Sequence, residues 1–134
     1  MFRIKICGIT TLDDALCVEE CGADAIGLNF YSQSARYVPR QQAQTIAASL
    51  AGRLTRVGLF VNPTLDELVQ TCGMVSLDAI QLHGDEPPEF LAQVAQQFPQ
   101  LPIVRAFRGA PDGLAPPLAY LQRCRELKAM PSMT

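Results

Sequence analysis

Apolar positions along the chain follow two alternating rhythms. Short, nearly continuous apolar runs rich in β-branched residues occupy 3–9, 25–30, 56–61, 79–83 and 103–107. Runs of this length that are apolar on both faces predict strands of a parallel sheet covered on both sides. Between them apolar residues recur at helical spacing. Thr11 is placed to cap the first helix, with Asp14 three residues on, Leu12, Ala15 and Leu16 in its apolar stripe, and Gly22 to stop it. Pro39 suits the first turn of the second, whose stripe is Ala43, Ile46, Ala47 and Leu50. Thr64 and Glu67 have the spacing of a capping box for the third. Pro87 and Pro88 open the fourth, with Phe90, Leu91, Val94 and Phe98 along one side. A fifth helix is expected over 118–130, with Leu118, Leu121, Cys124 and Lys128 at helical spacing.

The order is strand–helix repeated four times, then a fifth strand and a fifth helix, with no evident sequence repeat. Such alternation predicts an α/β fold with right-handed crossovers. Two architectures satisfy it, an open doubly wound sheet or a (βα)8 barrel. No G-x-G-x-x-G follows the first strand, which counts against a dinucleotide site. A barrel needs eight units and typically ~200 residues or more. The 134 residues here hold about five units, and PSMT closes the chain where a sixth strand is expected to begin. The expectation is one incomplete barrel domain over 1–134.

Composition narrows the classes. Half the residues are apolar and the net charge is −2 without any basic run, so no nucleic-acid partner is expected. The apolar runs are too short to span a bilayer and no signal-peptide pattern opens the chain, so a cytoplasmic protein with no membrane partner is expected. Five cysteines, an odd number, argue against a disulfide framework. With His83 the only histidine, no metal site is expected, and Cys17, Cys21, Cys72 and Cys124 are expected to be buried small side chains.

Four stretches resemble the phosphoribosylanthranilate isomerase family of tryptophan biosynthesis: KICGIT with Asp13, Asp14 and Ala15; GADAIGLNF with Ser34, Arg36 and Tyr37; VGLFVN; and IQLHGDE. They occur in the family's order and spacing, from Phe2 to about Arg108. The resemblance implies a TIM-barrel fold and the Amadori rearrangement of a phosphosugar, N-(5-phosphoribosyl)anthranilate, to 1-(2-carboxyphenylamino)-1-deoxyribulose 5-phosphate. It implies no cofactor. An acid must protonate the ring oxygen so that the sugar opens to an iminium, and a base must remove the proton at the neighbouring carbon.

By this resemblance Cys7 is the general base. It ends the first strand, at the rim where barrel chemistry occurs, although a buried inert cysteine is common. Lys5 lies two residues earlier, on the same strand face, and either raises the thiolate fraction or belongs to a structural ion pair. Arg36, in the loop after the second strand, is assigned by the resemblance to the anthranilate carboxylate, which its planar fork suits. Its bland alternative is a solvated loop arginine. His83 ends the fourth strand and is expected to contact substrate. Asp85 and Glu86 are expected to cap the fourth helix. Asn29, Asn62 and Arg105 lie at other strand ends and are assigned no catalysis, with Asn62 expected to shape the turn before Pro63.

The family's general acid, an aspartate ending the sixth strand, has no counterpart here. Asp112 sits in a Pro/Gly loop that matches no family motif. The phosphate loops after strands seven and eight are also missing. The chain alone is therefore expected to be inactive, and to self-associate through exposed barrel edges because its apolar interior faces no opposite wall. Two other readings compete: a non-catalytic half-barrel binding module, and another phosphosugar barrel such as an epimerase, whose usual carboxylates or metal-binding histidines are not offered here.

Overall fold

A computed structural model describes residues 2–108, 113–129 and 131–133, so Asp112 lies outside the described residues. The strands are β1 (Lys5–Cys7), β2 (Ala25–Asn29), β3 (Thr55–Phe60), β4 (Ala79–Leu82), β5 (Ile103–Arg105) and β6 (Ser132–Met133). The helices are α1 (Leu12–Glu20), α2 (Arg40–Ser49), α3 (Leu65–Met74), α4 (Pro88–Gln97) and α5 (Ala115–Glu126). Each strand pairs in parallel with the next, in the order β1-β2-β3-β4-β5-β6. A doubly wound sheet reverses its order at a switch point. This sheet does not reverse, so the path is that of a barrel and the open alternative is eliminated.

Two element boundaries depart from expectation. The sixth strand has already begun, since Ser132 and Met133 pair with Val104 and Arg105. Helix α5 starts three residues earlier than expected and ends at Glu126. Pro116 and Pro117 fit its first turn, where the missing N–H groups have no intrahelical acceptor to reach. The buried face is accordingly Pro117 and Cys124, with Tyr120 partly buried against the core between them. Leu118 is 60% exposed and Lys128 lies past the helix at φ +56°. Two caps form as read: Thr11 Oγ1 accepts from Asp14 N–H at 3.1 Å, and Thr64 and Glu67 exchange bonds of 3.1 and 3.0 Å.

The sheet has two faces of different character. Its outer face, including Ile26, Leu28, Phe60, Ile80, Leu82 and Ile103, packs with helix residues such as Ala15, Ile46, Leu68, Leu91 and Val94 in one apolar cluster. The inner face carries small residues, and Ala25, Val57, Ala79 and Val104 are each at most 1% exposed. The expected open interior is thus not what forms. The sheet curls so far that the Lys5 ammonium on β1 donates to Gln81 Oε1 on β4, across the concavity. Among the described residues the exposed large apolar positions at the β1 edge are Ile6 and, just before the strand, Ile4.

At the N-terminal ends of the strands one device appears twice. Asp24, just before β2, accepts from the backbone N–H groups of Arg3 and Ile4, both at 2.7 Å. Asp78, just before β4, accepts from the Arg56 backbone N–H at 2.9 Å. Asp-Ala-Ile follows in both places (24–26 and 78–80), and Thr-Leu-Asp opens the preceding helix in both (11–13 and 64–66). The chain therefore does carry a short internal repeat over its first and second pairs of units. It is hidden in the sequence by one-residue shifts and becomes visible through these shared contacts. At the second site the Arg56 side chain adds ion-pair contacts of 3.0 and 3.1 Å to Asp78 and donates to the Ala47 carbonyl.

Candidate active site

The C-terminal rim begins with Cys7, the last residue of β1. Alternation along the strand turns it inward, in register with Gly27 of β2. A Cβ on Gly27 would stand 2.7 Å from Cys7 Sγ, so only glycine lets the thiol lie over β2. The next residue, Gly8, has φ +82°. A Cβ there would collide with Arg36 Cδ and lie 3.1 Å from Arg36 Nη1. The Arg36 side chain therefore runs across Gly8, the residue that follows Cys7.

The loop after β2 holds Arg36 there. Its backbone N–H donates to Ser34 Oγ at 3.1 Å, and the same hydroxyl accepts from Asn29 Nδ2 at 3.2 Å. Asn29 Oδ1 in turn accepts from Tyr31 N–H at 2.9 Å. Asn29 thus builds the loop that positions Arg36. Arg36 is exposed and forms no ion pair among the described residues. A guanidinium fixed by its stem and left without an anion is suited to receive a carboxylate.

Lys5 lies one layer deeper. Its partner is the neutral amide of Gln81, which is itself 5% exposed, and no ion pair to Lys5 is found among the described residues. His83 lies beyond Gln81 on the inward side. Its backbone N–H donates to the Phe60 carbonyl at 3.0 Å, while its buried Nδ1 has no hydrogen-bond partner among the described residues. It borders a cavity of about 360 Å³ shared with Tyr31, Asn62, Arg105 and Arg108.

Glu86 is not a helix cap. Helix α4 begins after Pro87 without a side-chain cap, and Glu86 is only 3% exposed. Its carboxylate accepts from Asn62 N–H at 2.7 Å and from Gly84 N–H at 3.0 Å, and it lies 3.4 Å from Arg105 Nη1. Arg105 also donates to the carbonyls of Leu82, Gly84 and Ala106, and stacks on Phe107 and Tyr120. One buried carboxylate thereby ties the loops after β3 and β4 to the end of β5. Asn62 does shape its turn: it adopts φ +47° and its Oδ1 accepts from Asp85 N–H at 2.8 Å. No local signal marked Glu86, because the N–H groups it satisfies come from a loop 24 residues away as well as its own.

The remaining cysteines divide. Cys124 is fully buried, and burial pushes the Cys72 thiol up to about 11. Cys17 and Cys21 are exposed, contrary to the buried role expected of them. The Cys21 thiol, four residues on, is the first cause that raises Cys17 above its ordinary value. Among the described residues no three His, Cys, Asp or Glu side chains cluster as metal ligands, and no helix is long and apolar enough to cross a membrane.

Residues 4–113 match the family model described as N-(5'phosphoribosyl)anthranilate (PRA) isomerase. The N-(5'-phosphoribosyl)anthranilate isomerase of Geobacter metallireducens is 47% identical over 108 residues, which are 81% of this chain and 51% of that protein. The crystal structure of phosphoribosyl anthranilate isomerase from Thermotoga maritima superposes with a TM-score of 0.81 at 37% identity, covering 91% of this chain and 58% of that one. A crystal structure of the isomerase in complex with reduced 1-(o-carboxyphenylamino)-1-deoxyribulose 5-phosphate gives 0.80 at 38% identity, covering 91% and 62%. The chain spans about half the length of the curated relatives it matches.

Proposed function

The chain belongs to the N-(5'-phosphoribosyl)anthranilate isomerase family, and from that premise we propose that it carries the base and carboxylate-binding half of an aldose–ketose isomerase site. The substrate is N-(5-phosphoribosyl)anthranilate, and the reaction is its Amadori rearrangement in tryptophan biosynthesis, in the cytoplasm. Cys7 takes the proton from the carbon next to the iminium. Arg36 receives the anthranilate carboxylate. His83 lines the sugar side of the pocket, and Lys5 supports the base from below. The observation that carries this reading is the packing of the Arg36 stem across Gly8, the residue next to Cys7, which holds a cation without an ion-pair partner among the described residues at the end of β1. The relative solved with a reduced product analogue supports a phosphosugar ligand.

The acid is a different matter. No aspartate follows Asp112 in these 134 residues, so no side chain here matches the family's sixth-strand acid. Turnover is proposed to need that acid and the phosphate loops in addition to what is described. Self-association is a proposal resting on exposed Ile4 and Ile6, and sedimentation velocity over a dilution series tests it: a monomer at all concentrations sinks it.

The test of the site is ligand protection. Reduced 1-(o-carboxyphenylamino)-1-deoxyribulose 5-phosphate is expected to slow alkylation of Cys7 by iodoacetamide, read by peptide mass spectrometry. Arg36→Gln is expected to weaken that protection at least ~10-fold, the scale of a lost charge-assisted contact. Turnover by the chain, followed by substrate fluorescence, is expected to stay at the level of Cys7→Ala. Protection unchanged in Arg36→Gln overturns the assignment of Arg36, and turnover above the control overturns the need for an outside acid.

A further inference from the structure

The loop after β2 sends a second arginine the opposite way. Arg36 turns back over Gly8, whereas Arg40, the first residue of α2, turns forward onto α3. There Arg40 Nε donates to Thr71 Oγ1 at 2.9 Å and Nη1 to Gln70 Oε1 at 3.1 Å. Both partners are neutral, and Thr71 is 1% exposed, so the guanidinium plane is held without its charge being matched. No carboxylate among the described residues pairs with it.

Arg40 borders a cavity of about 460 Å³ that includes neither Cys7 nor Arg36. Four aromatic residues line it: Phe30, Tyr31, Tyr37 and Phe60. The Phe30 and Phe60 rings stack at 5.2 Å with planes 22° apart, which gives the cavity a flat apolar wall. Tyr37 is 40% exposed. Glu67 completes the lining. One of its oxygens accepts from Thr64 N–H in the capping box, and the other is unengaged among the described residues.

We propose that this cavity is a second ligand site, for a free aromatic amino acid in its zwitterionic form. The chemistry is complementary group by group. Arg40 offers N–H donors to the carboxylate, Glu67 offers an acceptor to the ammonium, and the phenylalanine and tyrosine rings offer a stacking surface. A cation and a carboxylate that do not pair with each other, in one aromatic-walled space, select against ligands with a single charge. The cavity adjoins that of His83, sharing Tyr31, Val61 and Asn62 with it, but Arg40 and Glu67 line this one alone, and the proposal does not depend on the isomerase reading.

Calorimetric titration of the purified chain with L-phenylalanine, L-tyrosine and L-tryptophan tests the proposal. Saturable binding at millimolar concentrations or below is expected for at least one of them. Phenylacetate, lacking the ammonium, and phenethylamine, lacking the carboxylate, are each expected to bind at least ~10-fold more weakly. Arg40→Gln and Glu67→Gln are expected to weaken the amino acid by a similar factor, and Arg36→Gln to leave it unchanged. Glutamine at position 67 retains the capping box, and Arg40→Lys is a second variant should Arg40→Gln lose its thermal transition. Three outcomes overturn the proposal: no saturable binding, equal binding of the singly charged probes, or a loss that follows Arg36 rather than Arg40.

Discussion

The two ends of the strands treat their polar groups in opposite ways. At the N-terminal rim, Asp24 and Asp78 are consumed by neighbouring backbone N–H groups, and Arg56 is consumed by Asp78 and the Ala47 carbonyl. At the C-terminal rim, Glu86 and Arg105 are bound to each other, but Arg105 Nε and His83 Nδ1 are buried without a hydrogen-bond partner and Arg36 lacks an anion among the described residues. A buried polar group left unsatisfied costs free energy, and a ligand that reaches it recovers part of that cost. The N-terminal rim therefore reads as stability, and the C-terminal rim is where the proposed site residues lie, with Glu86 as its structural part. This division matches the general behaviour of barrels, whose sites lie at the C-terminal face.

Substitutions that sort by rim put the contrast at risk. The largest stability loss is expected from Glu86→Ala, which strands Arg105 and two backbone N–H groups in a buried setting. Breaking a buried pair from one side costs about 3–5 kcal/mol, to be read from urea denaturation. A loss below about 1 kcal/mol would show the network to be incidental. Asp78→Ala is expected to cost less, about 1–3 kcal/mol, because Asp78 is half open to solvent although Arg56 is buried.

The same pair makes a pH prediction. Burial pushes the Asp78 carboxyl up, but its hydrogen bonds and charge pairing with Arg56 outweigh this and hold it below the ordinary carboxylate value. Backbone N–H donation from Arg3 and Ile4 lowers Asp24 likewise. A folded value below the unfolded one means that the stabilisation is fully present above about pH 4 and is lost as pH falls through the lowered folded values. The urea midpoint is expected to drop through that window, and less steeply in Asp78→Asn. A midpoint independent of pH there would remove these carboxylates from the stability account.

Smaller effects test the other rim. Thr64→Ala deletes one half of a capping box and is expected to cost about 1 kcal/mol. Arg36→Gln is expected to change stability by no more than about 0.5 kcal/mol, since the side chain is exposed and makes no ion pair. The same substitution is expected to carry the large binding loss described above. An Arg36 variant that lost stability instead would move this residue to the structural class.

What the residues determined alone was local and periodic. Parallel strands announced themselves as runs apolar on both faces, helix starts as Thr11 and the Thr64–Glu67 pair, and the motif around Cys7 as a strand end before glycine. These signals are carried by neighbours within a few positions, so no tertiary information was needed to see them. What only the tertiary structure decided depends on residues far apart in the chain. The strand order excluded the open sheet, since pairing between strands is a long-range choice. Lys5 found Gln81, 76 positions away, because the sheet curls. Glu86 became a buried clamp because two loops and β5 present their donors at one point. The fifth helix turned its Pro117–Cys124 side to the core because packing against α4, rather than the apolar count of its sequence, chose the face.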